Sequence, residues 1–116
     1  MVLIAGDGAM QQTAAELGTL LGQGLAPVII VLNNGGYRAS RLPVLHLFPD
    51  GVSAARGQVV GASFAQAPDF VRLAEACGAY GTRTEGANGL PEALAQALNA
   101  TREGKSAVID VRVEQD

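Results

Sequence analysis

The alternation of apolar and polar residues along the chain predicts four β-strands, over residues 2–5, 27–32, 79–84 and 107–113. The second segment is continuously apolar and rich in β-branched residues, which is typical of a strand covered on both faces in a parallel sheet. The last segment alternates in its second half, as expected of a strand near a sheet edge. Glycine and asparagine clusters end the first two strands.

Helical spacing of apolar residues separates these strands. The first helix is predicted over residues 14–23, with Thr13 and Glu16 forming a capping box at its start and Gly24 ending it in a left-handed conformation. Its predicted apolar stripe is Leu17, Leu20, Leu21 and Leu25.

Two further helices are predicted in the second half of the chain. Pro68 is a favoured first helical residue, and Gly78 closes that helix. Pro91 opens the other. Residues 37–66 have no sustained period, so they are predicted to be a long loop with one helical turn at most. The predicted apolar stripes are Phe70, Leu73, Ala74 and Cys77 in the first of these helices, and Leu94, Leu98 and Thr101 in the second.

This order of elements predicts an α/β fold, a parallel sheet with helices on both faces. The chain has 116 residues, enough for a single domain over residues 1–116. Its 48% hydrophobic and 16% charged residues exclude a disordered chain. Because the second residue already belongs to an apolar strand, we expect the domain to be incomplete at its N-terminal end.

Charge and cysteine content narrow the range of possible functions. The net charge is −3 and the eight Lys and Arg residues are scattered, which argues against nucleic-acid binding. Cys77 is the only cysteine, which excludes an internal disulfide. The chain has neither a signal-peptide pattern nor an apolar run of bilayer length, so no membrane contact and a cytoplasmic location are expected.

The two strand endings are the best candidates for a binding site, because ligands of open parallel sheets bind at the carboxyl ends of the strands. Asp7 offers a carboxylate, Asn34 offers an amide oxygen, and the backbone around Gly35 and Gly36 offers carbonyls. These hard oxygens suit a partial magnesium shell, which phosphates and water complete. The amides of Gly8 and Ala9 and the start of the following helix would favour an anion, so the site fits a metal-bridged phosphate or diphosphate.

The pair of motifs Gly6-Asp7-Gly8 and Asn33-Asn34 resembles the signature of thiamine diphosphate (ThDP) dependent enzymes. Flanking residues are similar to the group of acetolactate synthase, pyruvate decarboxylase and benzoylformate decarboxylase, whereas residues 38–66 match it weakly. The similar flanking segments are residues 6–11, 16–17, 24–27, 68–78 and 107–111.

The resemblance implies the C-terminal part of a diphosphate-binding domain that binds ThDP and Mg²⁺ within a 2-oxo acid decarboxylase or carboligase. Asp7 and Asn34 look like side-chain ligands of the metal, and Gly36 looks like its carbonyl ligand. Carbon–carbon bond chemistry in this family belongs to the thiazolium ring of the cofactor. The implied cofactor-binding residues are Gly6, Asp7, Gly8, Ala9, Asn34, Gly36 and Tyr37.

The resemblance also implies partners. The family's cofactor lies between this domain and a pyrimidine-binding domain, usually of another subunit, which supplies a glutamate to the aminopyrimidine ring. We therefore expect a homo-oligomer and no catalysis by this chain alone. Some pyruvate decarboxylases carry a glutamate three residues after the motif's tyrosine; Ser40 stands there, which disfavours that subtype.

Two alternatives remain open at this point. One is a non-catalytic ThDP-binding fragment, and the other is an unrelated α/β nucleotide-binding protein. A dinucleotide fold wants a glycine where Gln11 stands and an acidic residue where Asn33 and Asn34 stand.

Several single residues have plain structural interpretations. His46 and Cys77 are expected to be structural, and Glu16 to cap a helix. Asp110 is expected on a solvated face or in a loop contact. Arg38 and Arg41 are expected to face either solvent or a substrate acid or cofactor phosphate.

Overall fold

A four-stranded parallel sheet forms the centre of the structure, a computed structural model that describes residues 1–114. The order across the sheet is β1-β2-β4-β3, and each neighbouring pair is parallel. The predicted parallel α/β sheet is therefore confirmed. The strands are β1 (Val2–Gly6), β2 (Val28–Asn33), β3 (Tyr80–Glu85) and β4 (Ala107–Arg112).

Helices cover both faces of this sheet, as predicted. One face carries α1, α2 and α5, which pack on Ile29, Val31 and Val108. The opposite face carries α6, which packs on Val28 and Ile109 among others. The helices are α1 (Asp7–Thr13), α2 (Glu16–Gly22), α3 (Arg38–Leu47), α4 (Val52–Ala55), α5 (Phe70–Ala76) and α6 (Leu90–Arg102). Among residues 1–114, no helix is long and apolar enough to cross a membrane.

β4 lies near a sheet edge, as predicted, but it is an inner strand next to the edge strand β3. β4 pairs with β2 on one side and with β3 on the other, and its residues from Ala107 to Val111 are buried. The alternation of Asp110 and Arg112 with valines reflects ion pairing and not solvent: Arg112 lies 3.5 Å from Asp110, whose side chain is fully buried.

The first predicted helix starts too late. The chain becomes helical at Asp7, directly after β1, and breaks at Ala14 and Ala15 before α2 begins. No capping box forms, because the hydroxyl of Thr13 donates to the carbonyl of Ala9 and Ala15 holds the N-cap position. The predicted end is correct: Gly24 has φ +68° and follows the C-cap of α2.

The predicted apolar stripes are correct only in part. Leu17 is buried and Leu20 packs on the core, but Leu21 and Leu25 are nearly half exposed. In α6 the sheet-facing residues are alanines at four- and three-residue steps, whereas Leu98 is exposed. Small side chains allow this helix to lie close to the strands. The buried face of α6 is therefore set by the small size of its side chains and not by the positions of its leucines. The buried alanines are Ala93, Ala97 and Ala100.

The interpretation of residues 37–66 as a loop was wrong for residues 38–47. These form α3, which contains Pro43 and has no buried residue. A helix on the surface has no need of the apolar stripe by which a buried helix is recognised, and an internal proline argues against helix. The missing apolar stripe and the internal proline therefore both argued against the helix that is observed.

Helix α5 begins at Phe70, two residues later than Pro68 suggests. Asp69 is the N-cap, and its Oδ1 accepts from the amides of Val71 and Arg72, each at 3.1 Å. The hydrogen bond from the Arg72 amide holds the pKa of Asp69 below its usual 3.8. This carboxylate therefore stabilises the fold above that pH, and its contribution is lost as the pH falls through the lowered pKa.

Replacing Asp69 with alanine is expected to lower the free energy of unfolding at neutral pH by roughly 1 kcal/mol, because two helix amides lose their acceptor. The difference from the unchanged protein should shrink in acid. Urea unfolding at a series of pH values measures both effects. The control is Glu103→Ala, which removes only an exposed ion pair to Lys105. Equal, small effects of both substitutions would contradict the capping role.

Strand β1 lies at the sheet edge and exposes apolar side chains. Val2, Leu3 and Ile4 are 56%, 52% and 65% exposed. Edge strands with apolar exposure promote association. We expect the chain to self-associate in sedimentation velocity, and Ile4→Lys to reduce the association. Leu98→Lys, at a similarly exposed position of α6, is the control and should change little. A monomer at every concentration would contradict this expectation.

Candidate functional site

The ends of β1 and β2 lie side by side, so the two polar motifs meet at one edge of the sheet. Gly6 pairs with Leu32 in the parallel register. The chain leaves β1 at Asp7 and leaves β2 after Asn33. The expectation that both motifs share one edge is confirmed.

Asp7 and Asn34 point side-chain oxygens at the same backbone amide. Asp7 is 2% exposed, and its Oδ2 accepts from the amide of Gly36 at 2.9 Å. The Oδ1 of Asn34 accepts from that amide at 3.2 Å. Two oxygens thus converge on one electropositive group at the edge of the sheet. A cation bound beside this amide would have a carboxylate oxygen and an amide oxygen close to it.

The composition of this oxygen set fits magnesium better than a softer metal. Among residues 1–114 there is no cluster of three or more His, Cys, Asp or Glu able to hold a metal. Asp7 is the one carboxylate, Asn34 adds an amide oxygen, and the carbonyl of Gly36 is nearby, where it accepts from the amide of Arg38 at 3.1 Å. A site with one carboxylate leaves positions for phosphate oxygens and water, which Mg²⁺ prefers.

Glycine is required at two places in this site because neighbouring groups approach closely. A Cβ on Gly36 would meet the carbonyl oxygen of Ala62 inside contact distance and the Cα of Ser63 at 3.0 Å. A Cβ on Gly8 would lie 2.6 and 2.7 Å from two ring carbons of Tyr37. A side chain at position 36 would therefore require backbone to move, and one at position 8 would require the Tyr37 ring to move.

A second segment holds the loop that follows β2. The amide of Tyr37 donates to the carbonyl of Ala62 at 2.7 Å, and the amide of Phe64 donates to the carbonyl of Gly35 at 2.8 Å. The rings of Tyr37 and Phe64 pack edge to face, with centroids 4.9 Å apart. Residues 62–64 were missed in the sequence because their main contacts are made by the backbone; Phe64, an isolated aromatic, was the only available signal.

All seven predicted cofactor-binding residues line one open cavity of about 390 Å³. Leu32 and residues 38–40 complete its wall. The cavity contains the start of α1, whose first-turn amides favour anions. The amide of Gly8 donates here to Oδ1 of Asp7 at 2.8 Å. An anion would therefore compete with this carboxylate for the Gly8 amide. A metal bound to Asp7 would relieve that competition by taking the carboxylate as its ligand.

A polar network centred on the buried side chains of Asn33 and Asp110 lies beside the site. The side-chain amide of Asn33 donates to Oδ1 of Asp110 at 2.8 Å, and Nε of Arg83 donates to Oδ2 of Asp110 at 2.9 Å. The Nη2 of Arg83 also donates to Asp69 at 3.0 Å. The hydrogen bond with Asp110 raises the pKa of Arg83 above its usual range. Asp110 is thus fully buried and ion-paired, so its expected place on a solvated face was wrong.

The other singled-out residues are His46, Glu16, Cys77, Arg38 and Arg41. His46 is exposed on α3 and Glu16 is exposed on α2. Cys77 is half-buried and packs against the core, as expected. Arg38 lines the cavity wall, and Arg41 lies near it beside Ala62 and Ser63. The capping role expected of Glu16 was wrong, since no side chain caps α2.

Comparison with known families gives a match over nearly the whole chain. The family described as "Thiamine pyrophosphate enzyme, C-terminal TPP binding domain" matches residues 1–111. An alpha-keto-acid decarboxylase of Mycolicibacterium paratuberculosis is 40% identical over 74 residues, which are 64% of this chain and 12% of that protein. One from Mycobacterium bovis is 58% identical over 40 residues, which are 34% of this chain and 7% of that protein.

Solved structures show the same arrangement of elements. A Rhodococcus jostii protein described as a thiamine diphosphate-dependent 4-hydroxybenzoylformate decarboxylase superposes with a TM-score of 0.80 and 30% identity, over 99% of this chain and 20% of that one. A benzoylformate decarboxylase of Polynucleobacter necessarius gives a TM-score of 0.74 at 22% identity, over the same shares of the two chains, and supports the fold.

Proposed function

The chain belongs to the thiamine pyrophosphate enzyme family, as a C-terminal TPP-binding domain, and from this premise we propose that it binds ThDP through a divalent metal. The observation that carries the proposal is the convergence of Asp7 Oδ2 and Asn34 Oδ1 on the Gly36 amide. The alternative of an unrelated nucleotide-binding protein is wrong, because the family match spans residues 1–111.

In the proposed complex, Asp7 and Asn34 bind Mg²⁺ through their side chains and Gly36 binds it through its carbonyl. Gly8 and Ala9 contact the diphosphate, and Gly6 and Tyr37 shape the wall around it. Tyr37 packs on Gly8 and on Phe64, so its ring holds the first turn of α1 against the loop after β2. Once bound, the cofactor supplies a thiazolium ring that can cleave or form a bond next to a carbonyl.

The reaction we propose is that of a 2-oxo acid decarboxylase or carboligase. The names of the similar proteins, alpha-keto-acid decarboxylase and 4-hydroxybenzoylformate decarboxylase, support the decarboxylase over the carboligase. Ser40 lies on the cavity wall. Some pyruvate decarboxylases have a glutamate at this position. Ser40 brings a hydroxyl and no carboxylate to the cavity, which disfavours that subtype.

We propose that catalysis needs a pyrimidine-binding domain in addition to this chain. The chain spans 12% of the decarboxylase from M. paratuberculosis and 20% of the one from R. jostii, so most of each relative lies outside the matched part. A homo-oligomer in the cytoplasm, with the second domain provided by another subunit or segment, completes the proposal. The competing candidate is a non-catalytic ThDP-binding module.

Thermal unfolding with different ligands tests the proposed specificity. ThDP with Mg²⁺ is expected to raise the melting temperature of the chain, because a ligand that binds only the folded state stabilises it. Thiamine without its diphosphate, NAD and ATP, each with Mg²⁺, should raise it little. A larger shift with NAD or ATP than with ThDP would contradict the proposal. Decarboxylation of a 2-oxo acid only after addition of a pyrimidine-binding domain would exclude the non-catalytic module.

A further inference from the structure

The polar network beside the site connects the interior of the sheet to the loop that carries the proposed ligands. Asn33 ends β2 and is 1% exposed. Its Nδ2 donates to Asp110 at 2.8 Å, while its Oδ1 accepts from the amide of Gly35 at 3.2 Å. One side chain therefore joins Asp110, which is fully buried, to the backbone of the loop formed by residues 34–36.

Asp110 uses both of its oxygens in this arrangement. Oδ1 accepts from Asn33, and Oδ2 accepts from Nε of Arg83 at 2.9 Å with Arg112 a further ion-pair partner at 3.5 Å. A buried carboxylate requires such partners to remain charged in the protein interior. The orientation of the Asn33 amide follows from this, because the carboxylate admits only the NH₂ group and turns the carbonyl oxygen towards Gly35.

The orientation of Gly35 has a consequence for the next residue. The amide of Gly36 is the group on which Asp7 and Asn34 converge. A change at the Gly35 amide would turn the peptide plane that joins Asn34 to Gly35, and so shift the next plane, which contains the Gly36 amide. Groups behind metal ligands commonly fix the orientation of those ligands in this way.

We infer that Asp110, held by Arg83, is a positioning residue that acts through Asn33 to hold residues 34–36 in the shape required for the metal. The functional half of this inference rests on the proposed function. The network has a second anchor at Asp69, which receives a hydrogen bond from Arg83 at 3.0 Å. The guanidinium that donates to Asp110 is therefore also bound to Asp69, the N-cap of α5.

The test uses an exchange of the two side chains. In Asp110→Asn the side chain offers one oxygen to two donors, so either Asn33 or Arg83 loses its acceptor. The double variant Asn33→Asp with Asp110→Asn reverses the hydrogen bond: the amide at position 110 donates to the carboxylate at 33, and its oxygen accepts from Arg83. The double variant has the same composition and net charge as the original chain.

Amide hydrogen exchange of the chain without cofactor, measured by NMR, reads out the loop directly. Asp110→Asn is expected to speed exchange at Gly35 and Gly36 about fivefold, the effect of one lost hydrogen bond, and the double variant to return it towards the original rate. Asp69→Asn is the control, because it weakens α5 and one contact of Arg83 but leaves the Asp110–Asn33 bond in place. Unchanged exchange in Asp110→Asn, or equal acceleration in the control, would overturn the inference.

The double variant also covers the case in which Asp110→Asn does not fold. If Asp110→Asn does not fold, the double variant decides: original exchange rates support the inference, and failure to fold contradicts it.

Mg²⁺ affinity in the presence of ThDP should fall about 10- to 100-fold in Asp110→Asn and recover in the double variant. Equal affinity in both proteins would overturn the functional half of the inference. Failure of the unchanged chain to bind would count against the proposed function alone, since the exchange rates still decide the loop.

Discussion

Alanine in place of Asp7 is expected to abolish metal-dependent binding of ThDP. Asp7 is the only carboxylate among the proposed ligands, and Mg²⁺ is held in proteins by one or two carboxylates together with phosphate oxygens. The substitution also leaves the amides of Gly8 and Gly36 without their carboxylate acceptor. Both the charge and the shape of the site are lost. Calorimetric titration of ThDP in the presence of Mg²⁺ measures the effect.

Asp7→Asn separates charge from shape. The asparagine retains one oxygen that can accept from an amide, but it brings no negative charge, so binding should be lost while the fold is kept. Glu16→Ala, which removes an exposed carboxylate from α2, is the matched control and should bind as the unchanged chain does. Unchanged affinity in Asp7→Ala would refute the assignment of the metal to this site.

Alanine in place of Gly36 is expected to have the second large effect. The added Cβ would meet the Ala62 carbonyl and the Cα of Ser63, which are both backbone and are held by the hydrogen bond from Tyr37 to Ala62. Backbone cannot move aside as the end of a side chain can. We expect a loss of about 1–3 kcal/mol in the free energy of unfolding, together with loss of cofactor binding. Urea unfolding and calorimetry measure these two effects.

Gly18→Ala is the control for this substitution. Gly18 lies inside α2, and a Cβ there would have no atom within 4 Å. Alanine should therefore stabilise the helix by roughly 0.5–1 kcal/mol, since glycine is a poor helix former. The two substitutions add the same methyl group with opposite expected signs. A Gly36→Ala protein as stable as the unchanged chain would show that residues 62–64 yield easily and do not hold the loop.

The predictable part of the structure was the part governed by periodicity and by short motifs. The apolar strands and the position of Gly24 were correct, and the two motifs led to Asp7 and Asn34 at one edge of the sheet. These features are local, so neighbouring residues in the sequence contain the information.

The errors came from contacts between distant residues. Asp110 was taken for a solvated residue because its partners, Asn33 and Arg83, lie far away in the chain. The backbone pairing of residues 62–64 with the loop after β2 has no side-chain pattern at all. In α6 the burial of alanines in preference to Leu98 followed from the close approach of helix and sheet, which only the packed structure defines.

Calorimetric titration of ThDP into the chain, first with Mg²⁺ and then with a chelator, tests the central claim most directly. We expect binding with Mg²⁺ and none with the chelator, because Asp7 and Asn34 reach the diphosphate through the metal. Equal binding in both conditions would contradict the metal bridge. The absence of binding in both would contradict the claim that the residues at the ends of β1 and β2 are sufficient to hold the cofactor.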